Sequence, residues 1–279
     1  METQRKTWFV TGTSQGLGLV LVQKLLSQGY NVVATARNLE GLKTAVGITS
    51  DNFLPLQMDL RDEDSVAKAV DQAIVKFKII DVLVNNAGYG LIGGIEESSN
   101  KEVQANFDVN VFGLLNVTRA VLPFMREAKS GHIFNISSVF GLIAGAGWGV
   151  YCGTKFAVEG LSEALAAEVK PFDINVTIIE PGYFRTNFLN GGSVSVSSKS
   201  IDAYSEVAET KRMHVSDISG NQPGDPEKAA EVMISTAQLS EPPLRLLLGS
   251  DAYQYANYKI QMLTDGIAAN KEITLSTDF

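Results

Sequence analysis

Cys152 is the only cysteine in this chain, so no disulfide can close within it, and a reducing compartment fits that usage. Histidine is almost as scarce. His132 and His214 stand far apart and neither lies at ligand spacing from Cys152, so the familiar zinc patterns are excluded and no metal is expected. A nucleophilic hydrolase would need a serine or cysteine served by a histidine base, and neither histidine lies in such a motif. Basic runs are missing as well: Lys and Arg number 23 against 31 Asp and Glu, for a formal net charge of −8. That balance disfavours a nucleic-acid partner. Long apolar runs are also absent. Met1–Lys6 is polar and basic, and the Trp8-Phe9-Val10 run after it is too short for a signal-peptide core or a membrane span. A soluble cytoplasmic protein is the expectation.

What is present is a rhythm. Short runs rich in Val, Ile and Phe predict strands at 7–11, 31–36, 53–58, 80–84, 131–137 and 173–180, with helices near 16–28, 62–77, 98–127 and 150–170. Such runs suit strands buried on both faces. Leu244–Leu248 reads as a last strand, after a helix opened by Asp225-Pro226-Glu227, an Asp cap with proline at the first helical position. Strand–helix–strand alternation implies right-handed crossovers and a parallel sheet. The expected fold class is therefore α/β. It is a single-domain Rossmann fold over 1–279, a doubly wound parallel sheet of about seven strands flanked by helices. One stretch breaks the rhythm: 190–223 is Ser/Gly-rich, then weakly helical around Ile201–Met213. It follows the sixth strand, at the carboxyl edge where ligands bind in such sheets, and is expected to form a substrate-binding lid.

Gly12-Thr13-Ser14-Gln15-Gly16-Leu17-Gly18 follows the first strand and opens a helix. Glycines there let the backbone turn tightly and approach a pyrophosphate, whose charge the helix N-terminus favours. Further on, Tyr151 and Lys155 stand four residues apart, on one face of a helix. A phenol titrates near 10, and an adjacent ammonium favours the phenolate, making Tyr151 a candidate general acid/base. Cys152 points about 100° away and reads as packing.

In order and spacing, the loop together with Asn85-Asn86-Ala87-Gly88, Asn110, Ser138, Tyr151-Cys152-Gly153-Thr154-Lys155 and Pro181-Gly182 with Thr186 resembles the short-chain dehydrogenase/reductase family. Its shorter branch is the better match, with a leaning to hydroxysteroid- and retinol-dehydrogenase-like members. The resemblance implies an oxidoreductase moving a hydride between NADP(H) or NAD(H) and a carbonyl or secondary alcohol. It implies a catalytic set of Asn110, Ser138, Tyr151 and Lys155. Ser138 would bond the substrate oxygen, and Asn110 would hold a water near the lysine in a locally opened helix. It also implies that Asn86, Ala87 and Gly88 line the adenosine ribose, that Asp59 is the adenine-side acid, and that Lys155, beside Tyr151, reaches the nicotinamide ribose. Pro181, Gly182 and Thr186 would hold the nicotinamide carboxamide. Relatives associate through helices matching 98–127 and 150–170, so a homodimer or homotetramer is expected. The competing reading is a cofactor-binding sensor or scaffold without turnover.

Cofactor choice turns on the second strand. An NAD-preferring fold carries an acid there for the ribose 2′-hydroxyl, whereas this strand ends in Arg37. A guanidinium can clamp a 2′-phosphate, so NADP(H) is expected over NAD(H), with hydroxyls from Thr13 and Ser14 assisting. Many NADP-binding relatives carry a basic residue where this loop has Gln15. Around the reacting centre the sequence supplies Tyr89, Leu91, Ile92, Val139, Phe140, Leu142, Ile143, Trp148, Tyr183, Phe184 and Phe188. An apolar ketone, aldehyde or alcohol is the substrate such a pocket implies.

Overall fold

The seven principal strands and the helices between them alternate along the chain of the computed structural model, which describes residues 5–189, 192–214, 218 and 220–279. The elements are β1 (Thr7–Thr11), α1 (Gly16–Ser27), β2 (Asn31–Ala36), α2 (Leu39–Val46), β3 (Phe53–Gln57), α3 (Glu63–Phe77), β4 (Val82–Asn85), β5 (Gly90–Ile92), α4 (Asn100–Phe107), α5 (Leu114–Ala128), β6 (Gly131–Ile136), α6 (Gly149–Val169), β7 (Ile174–Pro181), β8 (Val194–Val196), α7 (Ser205–Arg212), α8 (Pro226–Thr236), β9 (Arg245–Leu248), α9 (Ser250–Ala269) and α10 (Lys271–Leu275).

One sheet of seven strands runs in the order β3-β2-β1-β4-β6-β7-β9, every pairing parallel. This is the expected doubly wound sheet. The pleat sends alternate side chains to opposite faces, and both faces are buried. Trp8, Val10, Val32, Ala34, Val84 and Phe134 pack with α1 and α8 on one side. Phe9, Val33, Leu83 and Ile133 pack with α3 and α5 on the other. No alternation of polarity can survive in such strands, which is why they read as continuous apolar runs.

Helix ends follow local chemistry. Asp62 caps α3 by accepting from the amides of Asp64 and Ser65, and Ser99 with Glu102 forms a reciprocal capping box at α4. Asp225 accepts from Glu227 N at 2.9 Å ahead of Pro226. The helix expected over 98–127 is divided: a π-helical segment at Asp108–Gly113 separates α4 from α5, widening the coil where Asn110 sits.

Three parts of the fold lie beyond the sequence reading. The helix α2 has no counterpart among the expected helices. β5 and β8 form a small parallel pair, so the start of the 190–223 stretch is tied to the loop after β4. α9 and α10 close the chain, with only Ala252 and Ala256 buried along them. The rest of 190–223 holds α7, while Asn190, Gly191, Val215, Ser216, Asp217 and Ser219 fall outside the described residues. Among the described residues no helix is long and apolar enough to cross a membrane.

Candidate active site

A cleft of about 550 Å³ crosses the carboxyl ends of β1, β2, β4, β6 and β7, spanning the point between β1 and β4 where the strand order reverses. Gly12 and Gly16 have φ of +67° and +65°, which a side chain would strain. A Cβ on Gly12 would also lie 2.6 Å from the Ala87 backbone, so the two loops close on each other. Asn86 locks them. Its Nδ2 donates to the carbonyls of Thr11 and Gly12 at 2.8 and 2.9 Å, and Thr11 Oγ1 accepts from the amides of Asn86 and Ala87. The N-terminus of α1 has no side-chain cap and no acid in its first turn, so its free amides and dipole are left for an anion.

Most of the expected cofactor residues meet at this cleft: Gly12, Ser14, Gln15, Gly16, Leu17, Arg37, Asp59, Asn86, Ala87, Gly88, Tyr151, Lys155, Pro181, Gly182 and Thr186 all line it. Thr13 does not. It is fully buried, and both its amide and its hydroxyl donate to Thr35 O, at 3.1 and 3.2 Å, so its hydroxyl is unavailable to a phosphate. Gly18 packs beneath, with Asn86 filling the place a side chain would take.

At the other end Ser138, Tyr151 and Lys155 share one wall. Lys155 is buried, donates from Nζ to Ile136 O at 2.8 Å, and stands 5.7 Å from the centre of the Tyr151 ring. Burial pushes its ammonium down to about 8, the Glu159 carboxylate one turn on acting in opposition. The Tyr151 phenol moves the opposite way from expectation. Burial raises it above the usual phenol range, and a hydrogen bond with Ser138 only partly offsets that. Desolvation dominates because the ring lies among Trp148, Phe140 and Phe188, and Cys152 and Tyr183 push in the same direction.

Asn110 does not face the cleft. Its Nδ2 donates to Tyr89 O and Thr154 Oγ1 at 2.9 and 3.0 Å, and its Oδ1 accepts from Tyr89 N at 2.9 Å. The side chain braces the turn after Gly88 from within the π segment. The apolar residues divide similarly. Tyr89, Val139, Phe140, Trp148, Tyr183, Phe184 and Phe188 line the cleft, whereas Leu91, Ile92, Leu142 and Ile143 do not.

Residues 12–16 also spell Gly-x-Ser-x-Gly, the turn of a hydrolase nucleophile. Neither histidine serves Ser14, however. His132 Nε2 bonds Thr177 Oγ1 and His214 Nε2 bonds Tyr183 OH, and neither ring lines the cleft.

The short chain dehydrogenase family model matches residues 6–193. The chain belongs to the short-chain dehydrogenase/reductase family. Similarity extends beyond that span. The oxidoreductase BOA17 of Botryotinia fuckeliana is 37% identical over 98% of this chain and 99% of its own length. Retinol dehydrogenase 8 of Bos taurus is 35% identical over 86% of this chain and 80% of its own. The crystal structure of a short-chain dehydrogenase from Streptomyces avermitilis superposes with a TM-score of 0.90, at 37% identity, over 98% of this chain and all of that one. As a short-chain dehydrogenase/reductase the protein is an oxidoreductase whose fold binds a nicotinamide dinucleotide.

Four residues of this site escape the motifs. Arg61 holds Asp59 through two bonds, Nε to Oδ1 at 3.0 Å and NH2 to Oδ2 at 2.7 Å, and lines the cleft beside it. Glu159 lies under Lys155 in a buried cluster with Glu180 and Arg245, where burial and the neighbouring acid raise the Glu180 carboxyl above the usual range. Glu97 anchors Ile201 and Lys211 to the loop after β5. Its Oε2 accepts from Lys211 Nζ and its Oε1 from Ile201 N, both at 2.8 Å. Gln222 lines the cleft with a buried amide. Of the four, only Glu159 had a usable signal, its helical spacing of four from Lys155.

Proposed function

We propose that this protein is an NADP(H)-dependent reductase or dehydrogenase of apolar carbonyls and secondary alcohols, with Tyr151 as general acid/base. The observation that carries the reading is the meeting of Ser138, Tyr151 and Lys155 in a cleft that Phe140, Trp148, Tyr183, Phe184 and Phe188 also line. A bound nicotinamide supplies the hydride. In the reducing direction the substrate carbonyl oxygen accepts hydrogen bonds from Ser138 and Tyr151, which stabilise the charge that develops there. As the hydride reaches the carbon, the Tyr151 proton passes to the oxygen, so the carbonyl becomes a hydroxyl and the phenol a phenolate. Burial alone makes the phenol a weaker acid, so the donor role needs Lys155, 5.7 Å from the ring centre, to stabilise the phenolate that remains. Asn110 fixes the Gly88–Tyr89 turn, and through it the near edge of the site.

The residues present fit NADP(H). The uncapped α1 N-terminus suits the pyrophosphate, no acid ends β2, and Arg37 brings a guanidinium to the adenosine end beside the Arg61–Asp59 pair. A scaffold without turnover would have no use for the whole catalytic set. In solution we expect a homodimer or homotetramer joined through α4–α6, where Phe112 and Phe156 are exposed, working in the cytoplasm.

A 340 nm assay with NADPH tests the substrate class. Bulky apolar ketones and aldehydes should give higher kcat/KM than sugars or hydroxy acids, since each buried polar group left unpaired costs about 1–3 kcal/mol. Higher values for the polar set would end the reading.

The 190–223 stretch acts as a lid hinged on its acidic anchors. Glu97→Ala removes the Lys211 ion pair and the Ile201 contact, so amide exchange across 193–214 should quicken by about tenfold or more while the sheet is unaffected. Unchanged protection there would show that the stretch is fixed by other means.

A further inference from the structure

Gln222 is 2% exposed, and among the described residues neither its Nε2 nor its Oε1 has a hydrogen-bond partner, although the side chain lines the cleft. Asn86 and Asn110, at the same cleft or beside it, have their amide groups engaged by protein. Asn85 and Asn106 each lack a partner only at the acceptor. Gln222 alone among these lacks both. Buried polar groups are nearly always satisfied, and an exception at a cleft calls for a ligand.

The backbone holds this residue firmly. Its carbonyl accepts from Arg185 Nε at 3.2 Å, and two residues later Gly224 N donates to Tyr183 O while Gly224 O accepts from Arg185 N, both at 2.9 Å. A Cβ on Gly224 would meet the Phe184 ring at 2.8 Å, so the two segments are packed without slack. Gln222 is thus fixed against 183–186, the segment that leaves β7 beside the reacting centre.

An amide offers one acceptor and two donors. A phosphate has no proton to give and would leave Oε1 unpaired. An apolar substrate satisfies neither atom, and its reacting oxygen already has Ser138 and Tyr151. A primary carboxamide offers the complementary set, and two amides can pair through reciprocal N–H···O=C bonds. The nicotinamide ring carries the only primary carboxamide in the cofactor. On the proposed cofactor reading, we infer that Gln222 pairs with the nicotinamide carboxamide alongside Pro181, Gly182 and Thr186, and so helps fix which face of the ring meets the substrate.

Binding measurements test this without turnover. Dissociation constants are taken by calorimetry for NADPH, for its 3-acetylpyridine analogue, which has a methyl in place of the amide NH2, and for 2′-phospho-ADP-ribose, which lacks the ring. Gln222→Leu should weaken NADPH about tenfold or more, leave 2′-phospho-ADP-ribose within twofold, and cost the acetylpyridine analogue less than NADPH. Gln222→Met is a second variant with a flexible side chain of similar length. With the orphan amide removed, the free protein should melt no lower than wild type, while NADPH raises its melting temperature by less. Unchanged NADPH affinity in both variants, or equal weakening of all three ligands, would overturn the assignment. Failure of wild type to bind any of the three would instead overturn the cofactor reading beneath it.

Discussion

Tyr151→Phe should lower kcat by about 10²- to 10⁴-fold, the range of a general acid/base contribution, and leave NADPH affinity within a few-fold of wild type. The ring is buried among Trp148, Phe140 and Phe188, and phenylalanine keeps those contacts and the shape of the wall. What disappears is the transferable proton and one of two donors to the substrate oxygen. Ser138 and the bound cofactor would still orient the carbonyl, so residual turnover above background is expected. Lys155 gives the contrast. Its ammonium both supports Tyr151 and faces the cleft, so Lys155→Ala should reduce turnover and cofactor affinity together. Near-normal kcat in Tyr151→Phe would remove this residue from the chemistry, and equal loss of cofactor affinity in both variants would mean that a damaged cleft explains the result.

The difference between these two residues was partly visible in the sequence and partly not. Spacing alone puts Tyr151 and Lys155 on one helix face, and α6 carries them so. The direction of the phenol's shift depends on how thoroughly the ring is desolvated. That burial comes from Trp148, Phe140 and Phe188, two of them far from Tyr151 in the chain, and no local pattern records it. Ser138 and the glycine loop are legible because they end strands of the sheet, and a strand's end fixes where its next residue points. Thr13 shows the reverse. A hydroxyl in a phosphate loop looks available until Thr35 O of the neighbouring strand is found accepting its proton.

In the fold, the strands buried on both faces announce themselves as apolar runs. Very short elements and elements with little burial do not. β5 and β8 are three residues each and exist through their mutual pairing across more than a hundred residues. α9 buries only Ala252 and Ala256 and starts at Gly249 without a side-chain cap, so neither a start signal nor an apolar face marks it. Gln222 is the sharpest case. A glutamine before Pro223 in a polar stretch reads as surface, and only the bridge to Phe184 turns it inward.

Arg37→Asp should reduce kcat/KM with NADPH by about 10²-fold or more while changing NADH by only a few-fold, because a charge-assisted clamp is replaced by like-charge repulsion. The surroundings of Arg37 make the effect local. Asp59, the acid closest in role to an NAD-selecting carboxylate, is engaged by both guanidinium contacts of Arg61, and that pairing holds its carboxyl below the usual range, with Arg37 adding the smallest contribution. Asp59 is therefore neutralised by its own partner. Arg37 is exposed and lines the cleft at the end of β2, and on the proposed reading it is the cation that would face a 2′-phosphate. Arg61→Ala separates the two arginines. Without Arg61, the freed Asp59 should repel a 2′-phosphate, so NADPH should weaken again, now with Arg37 intact. The loss should shrink as salt rises, since both residues lie near solvent. Equal kcat/KM for NADPH and NADH in the native enzyme, or an Arg37→Asp variant that loses both cofactors alike, would place selectivity elsewhere in the loop, at Ser14 or Gln15.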